Sequence, residues 1–192
     1  MSGMTEVSSL TGRLLVATPA LADPNFDRAV VLLLDHDEEG SLGVVLNRPT
    51  PVDVGDILEG WAGLAGEPGV VFQGGPVSLD SALGVAVIPG DDEREAPLGW
   101  RRVHGAIGLV DLEAPPELLA AALGSLRIFA GYSGWGPGQL EDELTEGAWY
   151  VVESEPGDVS ATRPEGLWRA VLRRQRGELA MVATYPDDPS LN

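Results

Sequence analysis

Short apolar runs separated by turn-forming residues dominate this chain. Residues 29–34 are apolar without interruption, which indicates a strand buried on both faces. Residues 42–46 follow a charged turn and are predicted to return as the hairpin partner of that strand. The same kind of pattern predicts further strands at 12–18, 69–72, 83–88, 101–110 (one or two strands), 125–130, 148–152 and 181–183.

Helical periodicity is confined to short segments. Leu140 and Leu144 share one face at a spacing of four residues, so a short helix is predicted over 139–144. Other short helices are predicted at 53–58, after the prolines at 115–116, and at 166–176. Because the strands outnumber the helices and do not alternate with them, we predict one α+β domain with a mixed, mainly antiparallel sheet. The domain is expected to span 10–185, between a flexible N-terminal tail at 1–9 and a C-terminal tail at 186–192.

The composition excludes several kinds of chemistry. The chain has 192 residues, no cysteine and a net charge of −18, and all of its basic side chains are arginine. Without lysine, neither a Schiff base nor a Walker lysine is possible, and without cysteine there is no thiolate nucleophile. The negative charge opposes nucleic acids and anionic membranes. This charge disfavours direct nucleic-acid binding and a membrane partner, and we expect no cofactor.

A glycine-rich stretch is the most unusual local feature. Four glycines at 131, 134, 136 and 138 surround Trp135, and an acidic helix start follows at Gln139. We expect a loop here, which either has a functional role or is a strand-to-helix connection in which Trp135 is an apolar plug. The spacing does not fit the G-x-S-x-G turn of a serine hydrolase. The three acids that follow would repel a bound phosphate.

Two further clusters leave alternatives open. His36 lies among four acidic residues, which allows a metal site but favours a solvated hairpin loop. His104, in an apolar stretch, is expected to be structural. The arginines between Arg163 and Arg176 form a basic cluster that could bind phosphate or nucleic acid. Pairing with the acidic surface is favoured there.

Several ordered motifs together resemble the AlgH/YqgE family of bacterial proteins. They are residues 12–19, 23–26, 43–49, 74–77 and 131–144, with Trp149 in the strand that follows. The resemblance spans about residues 10–175 and is specific as an ordered set. It implies a cytosolic α+β protein with a curved sheet flanked by helices. It also implies a link to transcriptional regulation, made through alginate production, and no established enzymatic activity.

The leading hypothesis is a non-enzymatic module that binds a small molecule or a protein and regulates indirectly. We expect its site in a groove where three segments converge, with Arg48 supplying charge and Trp135 an apolar wall. The candidate residues are Asn47, Arg48, Gly74, Gly75, Pro76, Trp135, Gly136, Gly138 and Gln139. The alternatives are a carboxylate-based hydrolase, with or without a divalent metal, and a DNA-binding regulator that uses the region from Arg163 to Arg176.

Overall fold

A computed structural model describes residues 9–21, 23–24, 26–90 and 96–185. The tails expected at 1–9 and 186–192 lie outside this part of the chain, apart from Ser9. The sequence also predicts a charged loop at 91–96, of which residues 91–95 lie outside the described residues. Ten strands are described: β1 (Leu14–Ala17), β2 (Val30–Asp37), β3 (Gly40–Val45), β4 (Pro49–Asp53), β5 (Val70–Gln73), β6 (Val77–Val87), β7 (Trp100–His104), β8 (Ile107–Val110), β9 (Ser125–Trp135) and β10 (Trp149–Val152).

The strands form one curled sheet in the order β10-β1-β2-β3-β9-β6-β8-β7, with β5 pairing β9 and β4 pairing β5. All strand pairs are antiparallel except β5 with β9. The α+β class and the mainly antiparallel mixed sheet are therefore confirmed. The uninterrupted apolar run in β2 is buried on both faces because β2 lies between β1 and β3 and the sheet is covered on both sides.

Five short α-helices and three 3₁₀ turns cover the described sheet. The helices are α1 (Val54–Ile57), α2 (Glu117–Ala120), α3 (Gln139–Thr145), α4 (Leu167–Arg173) and α5 (Glu178–Val182). The 3₁₀ turns are Glu59–Trp61, Pro156–Asp158 and Pro164–Gly166. No helix in the described part of the chain has the length and apolar character needed to cross a bilayer.

Buried apolar side chains form three clusters between the sheet and the short helices. The largest contains side chains from both halves of the sheet, including Leu32 and Phe129, and α4 packs against it through Trp168. A second lies where Trp61 and α2 cover β5, β6, β8 and β9. The third lies under α3, whose Leu140 contacts the other face of β1, β2 and β3. The short helices are held in place because they bury apolar surface in these clusters, since helices of this length are not stable alone.

The structure corrects several elements expected from the sequence. The C-terminal segment at 181–183 was expected to be a strand, but Glu178–Val182 forms helix α5 against α4. β9 does not end at residue 130 but continues through the glycine-rich stretch to Trp135, because β3 pairs with it there. β4 was not foreseen because its side chains are mostly exposed, which leaves no apolar alternation in the sequence.

Candidate functional site

The connection between β3 and β4 carries Asn47 and Arg48. Asn47 is buried, its Oδ1 accepts a hydrogen bond from the Val30 N–H at 3.1 Å, and its Nδ2 donates to the Arg28 carbonyl at 2.9 Å. These two bonds fasten the connection to the start of β2. Arg28 has a φ of 54°, a left-handed conformation that is uncommon outside glycine. Backbone strain of this kind is concentrated at functional sites.

Two cavities meet at Arg48, and we call them together the arginine cleft. Both are lined by Pro24 and Arg48, so they adjoin. The smaller, of about 130 Å³, is also lined by Val45, Gln73, Gly75 and Pro76. The larger, of about 440 Å³, is also lined by Asp27, Arg28, Asn47, Glu165, Trp168 and Arg169.

The Arg48 side chain is half-buried between the two cavities. Its guanidinium donates to the carbonyl of Asn47 at 3.4 Å and to the carbonyl of Asp27. Burial lowers the pKa of Arg48, and the nearby Asp27 carboxylate opposes that shift. Because the unperturbed pKa of arginine is so high, Arg48 stays charged at neutral pH.

The indole of Trp168 forms a wall of the larger cavity. Trp168 is buried, and its Nε1 donates to the Ala17 carbonyl at 2.8 Å, which fixes the ring. The guanidinium carbon of Arg28 lies 4.3 Å from the ring centroid and that of Arg169 lies 5.7 Å from it. Arg169 also donates to the carbonyl of Ala183. Two cations are thus held against one aromatic ring.

The paired glycines at the end of β5 allow two backbones to approach closely. A Cβ on Gly75 would lie 2.2 Å from the carbonyl carbon and oxygen of Tyr132, and one on Gly74 would lie 2.4 Å from the Gly131 oxygen. Ser133 Oγ donates to the Gly74 carbonyl at 3.1 Å. The two glycine motifs, separate in the sequence, therefore pack against each other. Gly75 and the exposed Pro76 also line the smaller cavity.

Trp135 is placed in a different environment from Arg48. Its ring lies 6.2 Å from those of Phe26 and Trp149 in the cluster under α3. Its Nε1 donates to Glu143 Oε1 at 3.0 Å, and Trp149 Nε1 donates to the same oxygen at 2.9 Å. Trp135 thus packs with aromatic residues and borders a separate acidic cavity instead of the arginine cleft.

The remaining candidates, Gly136, Gly138 and Gln139, form the entry to α3. The Gly136 N–H donates to Gln139 Oε1 at 3.0 Å, and Gly138 adopts a left-handed φ of 73° immediately before the helix. Of the nine candidate residues, the structure brings Asn47, Arg48, Gly75 and Pro76 together at the arginine cleft. Gly74 does not line the cleft and packs against Gly131 instead, and residues 135–139 lie at the start of α3.

His36 is buried in β2, so the expected solvated loop is wrong for this side chain. A register shift between Leu33 and Asp35 turns His36 toward α3, opposite Ser41. His36 Nδ1 lies 2.6 Å from Ser41 Oγ, and Nε2 lies 3.5 Å from a Glu141 carboxylate oxygen. Because the backbone at Ser41 is paired with β2 on one side and β9 on the other, this arrangement is suited to holding α3 on the sheet.

Three acidic side chains near His36 lie along the rim of a separate cavity. Asp35, Asp37 and Glu39 are exposed and line an open cavity of about 230 Å³ with Ser41 and Trp135. Within the described residues, no group of three or more His, Cys, Asp or Glu is placed to hold a metal ion.

The C-terminal arginines do not form one basic surface. Arg174 makes a bidentate pair with the buried Asp158, with both N–O distances at 2.6 Å, and also contacts Glu155 at 3.1 Å. The hydrogen bond to Asp158 raises the pKa of Arg174. Arg169 lines the arginine cleft, while Arg173 is exposed. The pairing with acidic groups that the sequence favoured is thus present for Arg174.

Sequence reasoning missed most of the residues that line the arginine cleft. Arg28 and Trp168 were not singled out as site residues, and Arg169 was considered only as part of a basic surface. Arg28 and Trp168 are far apart in the sequence and meet only because α4 packs on β1 and β2. The available signal was the turn at 23–26, which belongs to the ordered motifs and contributes Pro24 to the cleft.

The fold and this site define a single-domain α+β protein with a curled sheet and a cleft whose lining includes three arginines. A family model described as AlgH-like matches residues 14–180. The chain therefore belongs to the AlgH-like family.

Relatives in other bacteria extend this finding. A UPF0301 protein of Streptomyces avermitilis is 91% identical, with 100% of both chains covered. A UPF0301 protein of Mycobacterium tuberculosis is 46% identical, with 94% of this chain and 90% of the other covered.

Two solved structures share the architecture. A crystal structure of a Corynebacterium diphtheriae protein has a TM-score of 0.86 and 31% identity, covering 95% of this chain and 96% of that one. The solution structure of the AlgH protein from Pseudomonas aeruginosa has a TM-score of 0.63 and 27% identity, covering 95% and 97%.

Proposed function

We propose that this protein is a non-enzymatic binding module that recognises a small molecule in the arginine cleft. The observation that carries the proposal is the position of Arg48 between two adjoining cavities. Pockets that bind small molecules are concave, partly apolar and equipped with a few fixed polar groups. Here Trp168 and Pro76 supply apolar surface, and Asn47 and Arg48 supply fixed polar groups.

The fixed geometry of the cleft supports binding more than catalysis. The polar groups of Asn47 and Arg48 are held by hydrogen bonds to backbone carbonyls and amides. Because these bonds already hold the two side chains in place, little conformational entropy of the side chains is lost when a ligand binds, which favours affinity. In this proposal the protein acts in the cytosol, as the family resemblance implies, and any effect on transcription is indirect, through ligand or partner binding.

A thermal-shift screen against nucleotides, sugar phosphates, amino acids and organic acids tests the proposal. A ligand at about 100 times its Kd stabilises the native state by about 2.7 kcal/mol, which is a shift of several degrees for a domain of this size. The shift should disappear in Arg48→Ala and persist in Arg173→Ala, which removes an exposed arginine of α4 outside the cleft.

Two results would count against the proposal. Hits whose shift is the same in Arg48→Ala and in the unmodified protein would place binding elsewhere. A complete absence of shifts would favour a protein partner, which a pull-down from cell lysate would then seek.

A further inference from the structure

The first half of β6 is exposed, although β6 lies between two other strands of the sheet. Residues 77–82, which we call the exposed half of β6, are all exposed, whereas residues 84–87 are buried. The reason is that β8 pairs with β6 only from Gly84 to Val87. Within the described part of the chain, no strand pairs with residues 77–82 on the side opposite β9. An open edge of this kind presents backbone N–H and C=O groups with which another strand can pair.

The register with β9 leaves apolar side chains on this edge. Val77 pairs with Tyr132 and Ala82 pairs with Ala130, so residues 78–81 lie opposite Gly131 alone. Extra residues of this kind bend a strand and leave part of its backbone unpaired. Leu79 lies against Gly131, since a Cβ there would be 3.0 Å from Leu79 Cδ2, yet Leu79 is 52% exposed and Val77 is 38% exposed. The exposed half of β6 thus combines unpaired backbone groups with apolar side chains.

The other edges of the described sheet are protected. β4 pairs only with β5, and it carries Pro49 and Pro51, which have no N–H to donate to a further strand. β7 at one end carries Arg101 and Arg102, and charged side chains also hinder edge pairing. β10 at the other end has no exposed residue. The exposed half of β6 has no proline and a single charged side chain, Asp80, so it is the edge most open to a partner.

Carboxylates lie along and beside this edge. Asp80 is exposed within it, and the exposed Asp111 and Glu113 follow the end of β8. Leu112, between those two acids, lies against Gly84, where a Cβ would be 3.0 Å from Leu112 Cδ2. Because the pairing of β6 with β8 begins at Gly84, this contact places the two acids close to the point where the open edge ends. A partner therefore meets an apolar edge with a negatively charged surround.

A second copy of this chain fits that surface poorly. It would bring the same carboxylates to the interface, and each copy carries a net charge of −18. The sequence has no basic residue within 69–90 or within 105–126 to offset this repulsion. Like charges placed opposite each other on paired strands are unfavourable, whereas complementary charges favour association. The charge of this surface therefore favours a basic partner.

We infer that the exposed half of β6 is a docking site for an extended segment of a basic partner protein, in which lysine or arginine alternates with apolar residues. The segment adds to the sheet as a strand, with backbone hydrogen bonds to β6. Its apolar side chains pack on Val77 and Leu79, and its cations lie near Asp80, Asp111 and Glu113. This surface is distinct from the arginine cleft, and the inference does not depend on the small-molecule proposal.

Matched peptides test the strand and the charge separately. We would titrate a fluorescein-labelled peptide of sequence Lys-Val-Lys-Thr-Lys-Val-Lys-Thr with the full chain at physiological salt and measure Kd by fluorescence anisotropy. One control peptide has proline in place of both valines, which keeps the charge and prevents strand pairing. The other has glutamate in place of every lysine. We expect the basic peptide to bind about tenfold or more tightly than either control.

Variants locate the binding on the surface of the protein. Leu79→Asp makes the chain more acidic and would strengthen an unspecific attraction for a cationic peptide. At a docking site it should instead weaken binding about tenfold or more, because apolar contact is lost and a charge is buried. Met181→Asp is the matched control, since Met181 is an exposed apolar residue on α5, and it should not weaken binding. Asp80→Asn should weaken binding by a smaller factor. Circular dichroism shows whether each variant is folded before the titration.

Each contrary result overturns a stated part of the inference. Equal weakening by Leu79→Asp and Met181→Asp, or none by either, would place binding elsewhere. Equal binding of the lysine and glutamate peptides would refute the basic partner, and equal binding of the proline peptide would refute strand addition. Failure of the lysine peptide to bind would refute the docking site. A dimer in sedimentation that Leu79→Asp converts to a monomer would identify a second copy as the occupant. None of these results alters the test of the arginine cleft.

Discussion

Replacing Gly75 by alanine tests whether the paired glycines are needed for the contact between β5 and β9. An added Cβ would lie 2.2 Å from the backbone carbon and oxygen of Tyr132 and 2.4 Å from Ser133 Oγ. Non-bonded carbon atoms prefer about 3.5–4.0 Å, so the two backbones would have to separate by more than an ångström. Overpacking of this kind costs about 3 kcal/mol.

Urea unfolding and thermal unfolding, each followed by tryptophan fluorescence and circular dichroism, measure this loss. We expect Gly75→Ala to lower the free energy of unfolding by about 3 kcal/mol and the Tm by about 6–12 °C. Gly63→Ala is the matched control, because a Cβ there meets no atom within 4 Å. It should change stability by less than about 0.5 kcal/mol. A loss below about 1 kcal/mol for Gly75→Ala would refute the steric account of this motif.

Further predictions concern buried polar groups. Arg127 is buried, donates to the carbonyls of Glu67 and Ala161 at 2.9 and 3.0 Å, and burial lowers its pKa to about 10. In urea unfolding, Arg127→Ala should lower the free energy of unfolding by about 4 kcal/mol. Arg127→Met should lower it by only about 2 kcal/mol, because methionine fills the space and removes the desolvated charge. Equal losses in the two variants would contradict this reasoning. Glu143→Ala should lower the free energy of unfolding by about 2 kcal/mol and change the tryptophan fluorescence, because two buried indoles lose their acceptor. Glu143→Gln, which keeps an acceptor oxygen, should lower it by about half as much. Unchanged spectra in both variants would show that this carboxylate does not hold Trp135.

The hydrophobic pattern predicted most of the sheet because buried strands carry their own signal. The continuous run in β2 is the clearest case. Elements held by exposed or distant contacts could not be predicted in this way. β4 lacks a buried face, and Glu178–Val182 carries too short a pattern to distinguish a helix from a strand before its packing on α4 is known.

The candidate site could likewise be predicted only in part. The sequence placed Arg48 near Gly75 and Pro76, and these residues do line one cavity. It also placed Trp135 with them, because an exposed loop was expected where β9 in fact continues beside β3. The sheet pairing directs that ring into the aromatic cluster with Trp149. The direction in which the Trp135 ring points depends on strand register, which the local sequence does not encode.

The central claim, that ligands bind in the arginine cleft, is most directly tested by nuclear magnetic resonance of the indole N–H groups. The chain has five tryptophans, and of these only Trp168 is among the residues lining the cleft. Its signal can be assigned with Trp168→Phe. We predict that a ligand found by thermal shift moves the Trp168 signal and leaves those of Trp135 and Trp149 in place. Movement of the Trp135 signal with Trp168 unchanged would contradict the account and place the site at the acidic cavity beside α3.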